Sequence, residues 1–263
     1  MPRFAANLTY LFNEHPFAER FRAAAEAGFR AVEYLFPYAY TKDDLAAWKT
    51  AAGLEQVLIN APAGKWDEGE RGLACLPDRK AEFREGVDRA IDYARMLDCR
   101  RVHLVAGKAP AGGPERVPFE DTYRENLAFA ADRLAEADIV GLLEPLNGKY
   151  DAPSFFLQTT HQARAILREL NRPNLKLQFD AYHVQIMQGD LVRTFRDCLP
   201  DIGHMQVANP PERNEPDSGE TDYGYFFRAV DQAGYAGWIG CEYKPRAGTR
   251  AGLGWGRAFG LRT

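Results

Sequence analysis

Short apolar runs alternate with amphipathic segments eight times along the chain, and this alternation limits the possible folds more than any other feature. The predicted strands cover residues 3–8, 31–36, 56–61 and 101–107, followed by four runs that end near Glu144, Asp180, Gln206 and Glu242. The predicted helices cover residues 17–28, 42–52, 79–97, 123–136, 160–170, 190–198 and 223–233, with a short helical tail. Strands joined by helices pair in parallel through right-handed crossovers, and eight such units favour a closed barrel of about 250 residues.

An open, doubly wound α/β sheet is the competing fold. That fold predicts a glycine-rich phosphate-binding turn after the first strand. The corresponding stretch here is NLTYLFNEHP, which contains no glycine. Because no linker or low-complexity segment interrupts the chain, the prediction is one TIM-barrel domain, (β/α)8, over residues 1–263.

Four of the predicted strands carry an oxygen-bearing side chain near the carboxyl end. These side chains are Glu144, Asp180, Gln206 and Glu242, at intervals of 180−144 = 36, 206−180 = 26 and 242−206 = 36 residues. The working residues of such barrels lie at the carboxyl ends of the strands. Three carboxylates and one amide oxygen suit Mg²⁺ or Mn²⁺, and they suit zinc less well because neither Cys nor His is among them.

Three histidines lie near these strands. His183 follows Asp180 by three positions, and in a strand this offset places two side chains on opposite faces. His183 can therefore point to the same side as Asp180 only if the strand has already turned into its loop. His204, two residues before Gln206, is expected on the same face but one layer lower, in a supporting role. His103 is predicted in the barrel interior.

The loop after the third strand is long and charged. It contains two prolines, three glycines and the group Glu68, Glu70 and Arg71. Loops of this length in a compact domain are usually functional or ordered by their own packing. The interpretation left open is a solvated loop or a lid over the barrel rim.

Composition argues against nucleic-acid partners, disulfide bonds and membrane spans. The chain has 33 basic and 37 acidic residues, a formal net charge of −4 and no long basic run, which argues against nucleic acid as a partner. Its four cysteines, with no close pair, indicate reduced thiols. No stretch approaches the roughly 20 apolar residues of a membrane span. The expectation is a cytoplasmic protein with no membrane partner.

Motifs along almost the whole chain carry a family resemblance. They are ANLTYLF, GERGLACLP, LLEPLN, QFDAYHVQIMQGDL, GHMQVANPPERNEP and GCEYKP, which ends at Pro245. In order and spacing they resemble the hydroxypyruvate isomerase family within the xylose-isomerase-like barrels. Many members of that larger group have histidine at the third metal position, and Gln206 is the form associated with the hydroxypyruvate isomerase branch.

The resemblance implies a metal-assisted proton shift between hydroxypyruvate and tartronate semialdehyde through an enediolate. Glu144 and Glu242 would bind a divalent ion, Mg²⁺ or Mn²⁺, and also transfer the substrate proton, with Asp180 and Gln206 mainly as ligands. His183 is expected to touch a substrate oxygen. Two cations compete to bind the substrate carboxylate, Arg213 and Lys108.

Three alternatives remain. An isomerase of 2-oxo-tetronate would share the mechanism, and the sequence does not reveal the pocket length. A multi-metal phosphodiesterase, such as an abasic-site endonuclease, would need more His and Glu ligands and a basic face. A non-catalytic barrel would have lost one of the two glutamates, and both are present. A homo-oligomer is left open.

Overall fold

Eight parallel strands close into a barrel in the computed structural model, which describes all 263 residues. The strands are β1 Arg3–Asn7, β2 Ala31–Tyr34, β3 Glu55–Asn60, β4 Arg101–His103, β5 Val140–Leu143, β6 Leu175–Asp180, β7 Ile202–Val207 and β8 Trp238–Cys241. The helices are α1 Phe17–Glu26, α2 Lys42–Ala51, α3 Lys80–Met96, α4 Val117–Ala135, α5 Thr160–Leu170, α6 Ala181–Met187, α7 Leu191–Cys198 and α8 Tyr223–Gln232.

The strands follow one another around the barrel in chain order, and β8 closes it by pairing with β1. Every pairing is parallel, as helical crossovers require. The predicted TIM barrel is therefore confirmed, and the open sheet is excluded because it would leave two unpaired edges.

Two predicted boundaries are wrong for local physical reasons, and one helix was missed. The fourth strand ends at His103, and Val105 and Ala106 beyond it accept hydrogen bonds from the β3–α3 loop. Helix α4 begins at Val117, six residues before the predicted start, and Pro118 fits its first turn because that position needs no amide donor. Helix α6 follows β6 without a loop and was not predicted.

The C-terminal segment packs against the outer face of β1, beside α8. A 3-10 helix, Arg250–Phe259, brings Trp255 and Phe259 against Phe4 of β1, with ring centroids 4.9 and 5.0 Å apart in edge-to-face geometry. The predicted short helical tail is confirmed.

All four cysteines are free, as their sequence spacing predicted, and all four are buried. No helix has both the length and the apolar character needed to cross a membrane.

Candidate active site

The predicted strand-end residues lie together at the carboxyl ends of β5 to β8. Asp180 and Gln206 are register partners on adjacent strands, and Glu144 and Glu242 come directly after β5 and β8. A cavity of about 220 Å³ opens at this end of the barrel. Among the residues that line it are Tyr10, Trp66, Arg71, His103, Glu144, Asp151, His183, Arg213, Glu242 and Lys244.

Glu144, Asp180 and His183 form a tight buried group. Their potential ligand atoms all lie within 4.8 Å of one another. His183 Nε2 is 3.6 Å from Asp180 Oδ2 and 4.0 Å from Glu144 Oε1. Neither of those two carboxylate oxygens has a hydrogen-bond partner, although both are buried. Buried, unpaired carboxylate oxygens are costly unless a cation or donor faces them.

The unpredicted helix α6 explains how His183 reaches this group. Asp180 is its N-cap and accepts a hydrogen bond from the Tyr182 amide at 2.8 Å. The chain turns helical immediately after Asp180, so an offset of three residues now places both side chains on one face. The sequence predicted that His183 would face Asp180 only if the strand ended before it. The strand does end there, and a helix, not a loop, follows it.

The hydrogen bonds of His183 assign its proton. The Asn147 amide donates to His183 Nδ1 at 3.2 Å, so the neutral ring carries its proton on Nε2, the nitrogen that faces the carboxylates. Burial, together with Arg213 and His103, holds the pKa of His183 well below its usual value. His183 is therefore a neutral hydrogen-bond donor toward the cavity.

Glu242 has a different set of partners. Arg213 Nη2 donates to its Oε1 at 2.5 Å, and Gln206 Nε2 donates to its Oε2, also at 2.5 Å. The same guanidinium lies 3.9 Å from Asp180 and 3.4 Å from Asp151. One arginine thus offsets the charge of several acidic groups.

The carboxyl groups of the site bind protons more tightly than exposed carboxyl groups do. Burial raises the pKa of Glu242 to about 8, although Arg213 opposes the rise. Burial and the neighbouring Glu242 and Asp180 raise the pKa of Glu144 well above its usual range. Burial also raises the pKa of Asp180, to about 6. Raised carboxyl pKa values are typical of groups that exchange protons with a substrate.

Gln206 takes part in a buried network beneath the cavity. Its amide nitrogen donates to Glu33 Oε1 at 2.8 Å as well as to Glu242, and its oxygen accepts from Gln178 at 2.6 Å. Glu33 also accepts from His204 Nε2 at 2.6 Å and from Asn7. His204 thus has the supporting role that its position predicted. In this conformation Gln206 presents a donor to Glu242, and its role as a ligand stays a prediction.

The donor set fits a hard divalent cation. Glu144 and Asp180 each present a buried carboxylate oxygen without a hydrogen-bond partner, and both residues lie at strand ends of one rim. These two residues would hold such an ion. Both oxygens of Glu242 accept hydrogen bonds from Arg213 and Gln206, so the roles of Glu242 and Gln206 as further ligands stay predictions.

The two cations predicted to bind substrate lie in different places. Arg213 lines the cavity, in contact with Glu242 and Asp151. Lys108 does not line it, and its ammonium donates to the Gly69 carbonyl at 2.9 Å, which ties the β3–α3 loop to the barrel.

Comparisons with known proteins agree with this architecture. Residues 21–259 match the family model described as "Xylose isomerase-like TIM barrel". The chain belongs to the xylose isomerase-like TIM barrel family. Within this family, it is 51% identical over 255 residues to 2-oxo-tetronate isomerase of Cupriavidus necator, with 97% of each chain covered. It is 46% identical to hydroxypyruvate isomerase of Escherichia coli, with 97% of this chain and 98% of that one covered.

A solved family structure is also similar over its full length. It is named AP endonuclease, family 2, from Brucella melitensis, with 46% identity, a TM-score of 0.95 and coverage of 98% of this chain and 99% of that chain. Identity to the named isomerases over nearly the whole chain places this protein among the isomerases of the family.

Several residues around the cavity were not predicted as site residues. Glu33 interrupts the apolar run AVEYLF, and a charged residue inside a predicted strand could have indicated a functional group in the barrel interior. His103 lies with Nδ1 3.3 Å from Glu144 Oε2, in the barrel interior as expected, but it also lines the cavity. Asp151 and Tyr10 lie in loops with no distinguishing pattern, so only the fold brings them to the cavity.

Proposed function

We propose that this protein is a metal-assisted isomerase of a small 2-oxo acid, with hydroxypyruvate and tartronate semialdehyde as the interconverted pair. The observation that carries the proposal is the presence of two buried glutamates, Glu144 and Glu242, with raised pKa values on one small cavity. The name of the Escherichia coli relative supports hydroxypyruvate as the substrate, and the names of both relatives support an isomerase.

The reaction moves one proton between adjacent carbons. Hydroxypyruvate has a ketone at C2 and a hydroxyl at C3. Loss of a C3 proton gives an enediolate, and return of a proton to C2 leaves an aldehyde at C3 and a hydroxyl at C2. No oxidant is needed, because one carbon is oxidised as its neighbour is reduced.

Glu144 and Glu242 are the proposed proton-transfer groups. Both are buried at the cavity, and in the metal-free site burial raises the pKa of each carboxyl group, that of Glu242 to about 8; a bound divalent cation would lower both values. Arg213 and Gln206 donate to opposite oxygens of Glu242 and hold its orientation.

A divalent cation, Mg²⁺ or Mn²⁺, would supply Lewis-acid stabilisation of the negative charge that develops on the substrate oxygens. Glu144, Asp180, Glu242 and Gln206 are the residues proposed to hold it. His183 would donate a hydrogen bond from its Nε2–H group to a substrate oxygen. The Asn147 amide donates to Nδ1 and so fixes the tautomer that carries the proton on Nε2.

A second candidate substrate is 2-oxo-tetronate, because the Cupriavidus necator relative bears that name at 51% identity. It has the same carboxylate, ketone and adjacent hydroxyl, and one additional hydroxymethyl group beyond C3. The same residues would carry both reactions.

The discriminating experiment is an NMR assay with each acid. The protein is stripped of metal with a chelator and assayed alone, with Mg²⁺ and with Mn²⁺. We expect interconversion of hydroxypyruvate that depends on added metal. Preferential turnover of 2-oxo-tetronate would favour the second candidate, and no turnover of either acid would refute the proposal.

An endonuclease is the competing class of enzyme, because the similar Brucella melitensis structure bears the name AP endonuclease. The net charge here is −4, and Glu144, Asp180 and His183 are the one group of three or more His, Cys, Asp or Glu side chains close enough to hold a metal. Both features disfavour a multi-metal phosphodiesterase. Incision of an abasic oligonucleotide at a rate comparable to isomerisation would overturn this assignment.

A further inference from the structure

The loop between β3 and α3, residues 61–79, is fixed to the barrel by backbone hydrogen bonds. The Ala74 amide donates to the Val105 carbonyl at 3.3 Å, and the Cys75 amide donates to the Ala106 carbonyl at 2.7 Å. Gly72 has φ of +112°, and a Cβ there would collide with the Val105 carbonyl. Only glycine permits this close approach. These contacts therefore hold Arg71, the residue before Gly72, in a defined place at the cavity.

The guanidinium of Arg71 is itself held in position. It lies over the Trp66 ring, 4.3 Å from the centroid, and the Trp66 ring contacts Phe36. Arg71 Nη1 donates to the carbonyls of Trp66 and Glu70 at 3.0 and 2.7 Å. Only Nη1 is used in these bonds, so the Nε and Nη2 donors, which form one edge of the fork, remain available. A guanidinium fixed in this way loses little entropy when it binds an anion.

Three cationic side chains line the cavity, and they differ in availability. Arg213 is committed to Glu242 and Asp151. Lys244 is exposed and has no side-chain partner that holds its ammonium. Arg71 has no carboxylate partner and is held by a ring and two carbonyls. Arg71 is thus the pre-positioned cation with free donors.

We propose that Arg71 binds the carboxylate of the 2-oxo acid substrate through Nε and Nη2. This inference rests on the proposed function and names the group that recognises the substrate class. A guanidinium edge matches a carboxylate with two parallel hydrogen bonds. Both candidate acids carry their carboxylate next to the reacting carbons, so one contact fixes C2 and C3 relative to the glutamates in either substrate.

Binding and turnover test the proposal separately. Calorimetry of the Mn²⁺-loaded protein with glycerate, a hydroxy acid that lacks the ketone, measures carboxylate binding without reaction. Arg71→Met should weaken binding by about 10- to 100-fold, the range for charge-assisted hydrogen bonds, and Arg71→Lys should recover part of the loss. Lys65→Met is the matched control, because Lys65 is on the same loop, pairs with Glu68 and does not line the cavity.

Kinetics with a neutral substrate analogue separates binding from loop support. Arg71→Met should raise KM for hydroxypyruvate by a similar factor, with little change in kcat. Exchange of the C–H protons of dihydroxyacetone, which has no carboxylate, should be unaffected. An equal loss with both compounds would show that Arg71 only supports the loop, and would overturn the inference.

Two further results would also overturn it: no binding of glycerate by the unmodified protein, and unchanged glycerate binding by Arg71→Met. The inference and the proposed function fail in distinguishable ways. A protein that binds glycerate through Arg71 but converts neither acid refutes the isomerase assignment alone. A protein that converts hydroxypyruvate with an unchanged KM after Arg71→Met refutes the role of Arg71 alone.

Discussion

Arg213 Nη2 donates to Glu242 Oε1 at 2.5 Å, and both side chains are buried at the cavity. The sequence suggested that Arg213 binds the substrate carboxylate. Its contacts favour another task, which is to hold Glu242 and to limit the rise in its pKa. The two roles predict different kinetics.

Removal of this charge should shift the pH dependence of catalysis. In Arg213→Met the pKa of Glu242 should rise by about 1 to 3 units, because the opposing positive charge is lost. The pH at which kcat begins to rise should move upward by the same amount, and Arg213→Lys should show a smaller shift. The pH profile of kcat provides the measurement. An unchanged profile with a raised KM would support the carboxylate-binding role instead.

Stability of the metal-depleted protein should fall as pH rises. The pKa values of Asp180 and Glu242 are raised on folding, to about 6 and about 8, so the folded state holds protons that the unfolded chain has released. The stability contribution is complete below the ordinary carboxyl range and is lost as pH rises through the folded values. Added Mn²⁺ should restore stability near pH 8, because it binds the deprotonated carboxylates.

Thermal unfolding with a chelator and with Mn²⁺, across this pH range, checks the prediction. Glu242→Gln is the informative variant, because it removes one of the titrating groups and should flatten the pH dependence. A metal-depleted protein that becomes more stable between pH 5 and pH 8 would contradict the assigned pKa directions.

Gly240 in β8 should not tolerate a side chain. A Cβ at this position would collide with the carboxylate of Glu33, which is held by His204, Gln206 and Asn7 and cannot move away. Gly240→Ala should therefore lower the free energy of unfolding by about 1 to 3 kcal/mol, the usual cost of overpacking. Urea denaturation measures the change. Gly112→Ala, where a Cβ meets open space, is the control, and equal stabilities of the two variants would argue against a rigid network.

The sequence predicted the barrel well because its signal is periodic. Strands with apolar runs and helices with an apolar face recur at regular intervals, and all eight strands were found in the correct order. Helix α6 was missed because its seven residues, AYHVQIM, follow β6 without a turn signal and are too short for a periodic pattern.

Position along the chain identified the site residues that lie at strand ends, whereas His183 and Arg213, which also line the cavity, were predicted from the family resemblance. Glu144 and Glu242 were identified from position alone, since parallel strands bring their carboxyl ends to one rim. The partners of Glu242 depend on side-chain direction, which spacing does not specify. Lys108 shows that position alone does not identify a substrate-binding residue. It follows β4 closely, and yet its ammonium donates to the loop carbonyl of Gly69.

Proton transfer by Glu242 is the central claim, and deuterium exchange tests it most directly. The unmodified, metal-loaded protein is incubated with hydroxypyruvate in deuterated water, and incorporation of deuterium at carbon is followed by NMR beside Glu242→Gln. The amide has the same shape but cannot accept the substrate proton at neutral pH. We predict a folded Glu242→Gln protein with exchange reduced by at least about 100-fold. Undiminished exchange in that variant would contradict the proton-transfer role of Glu242.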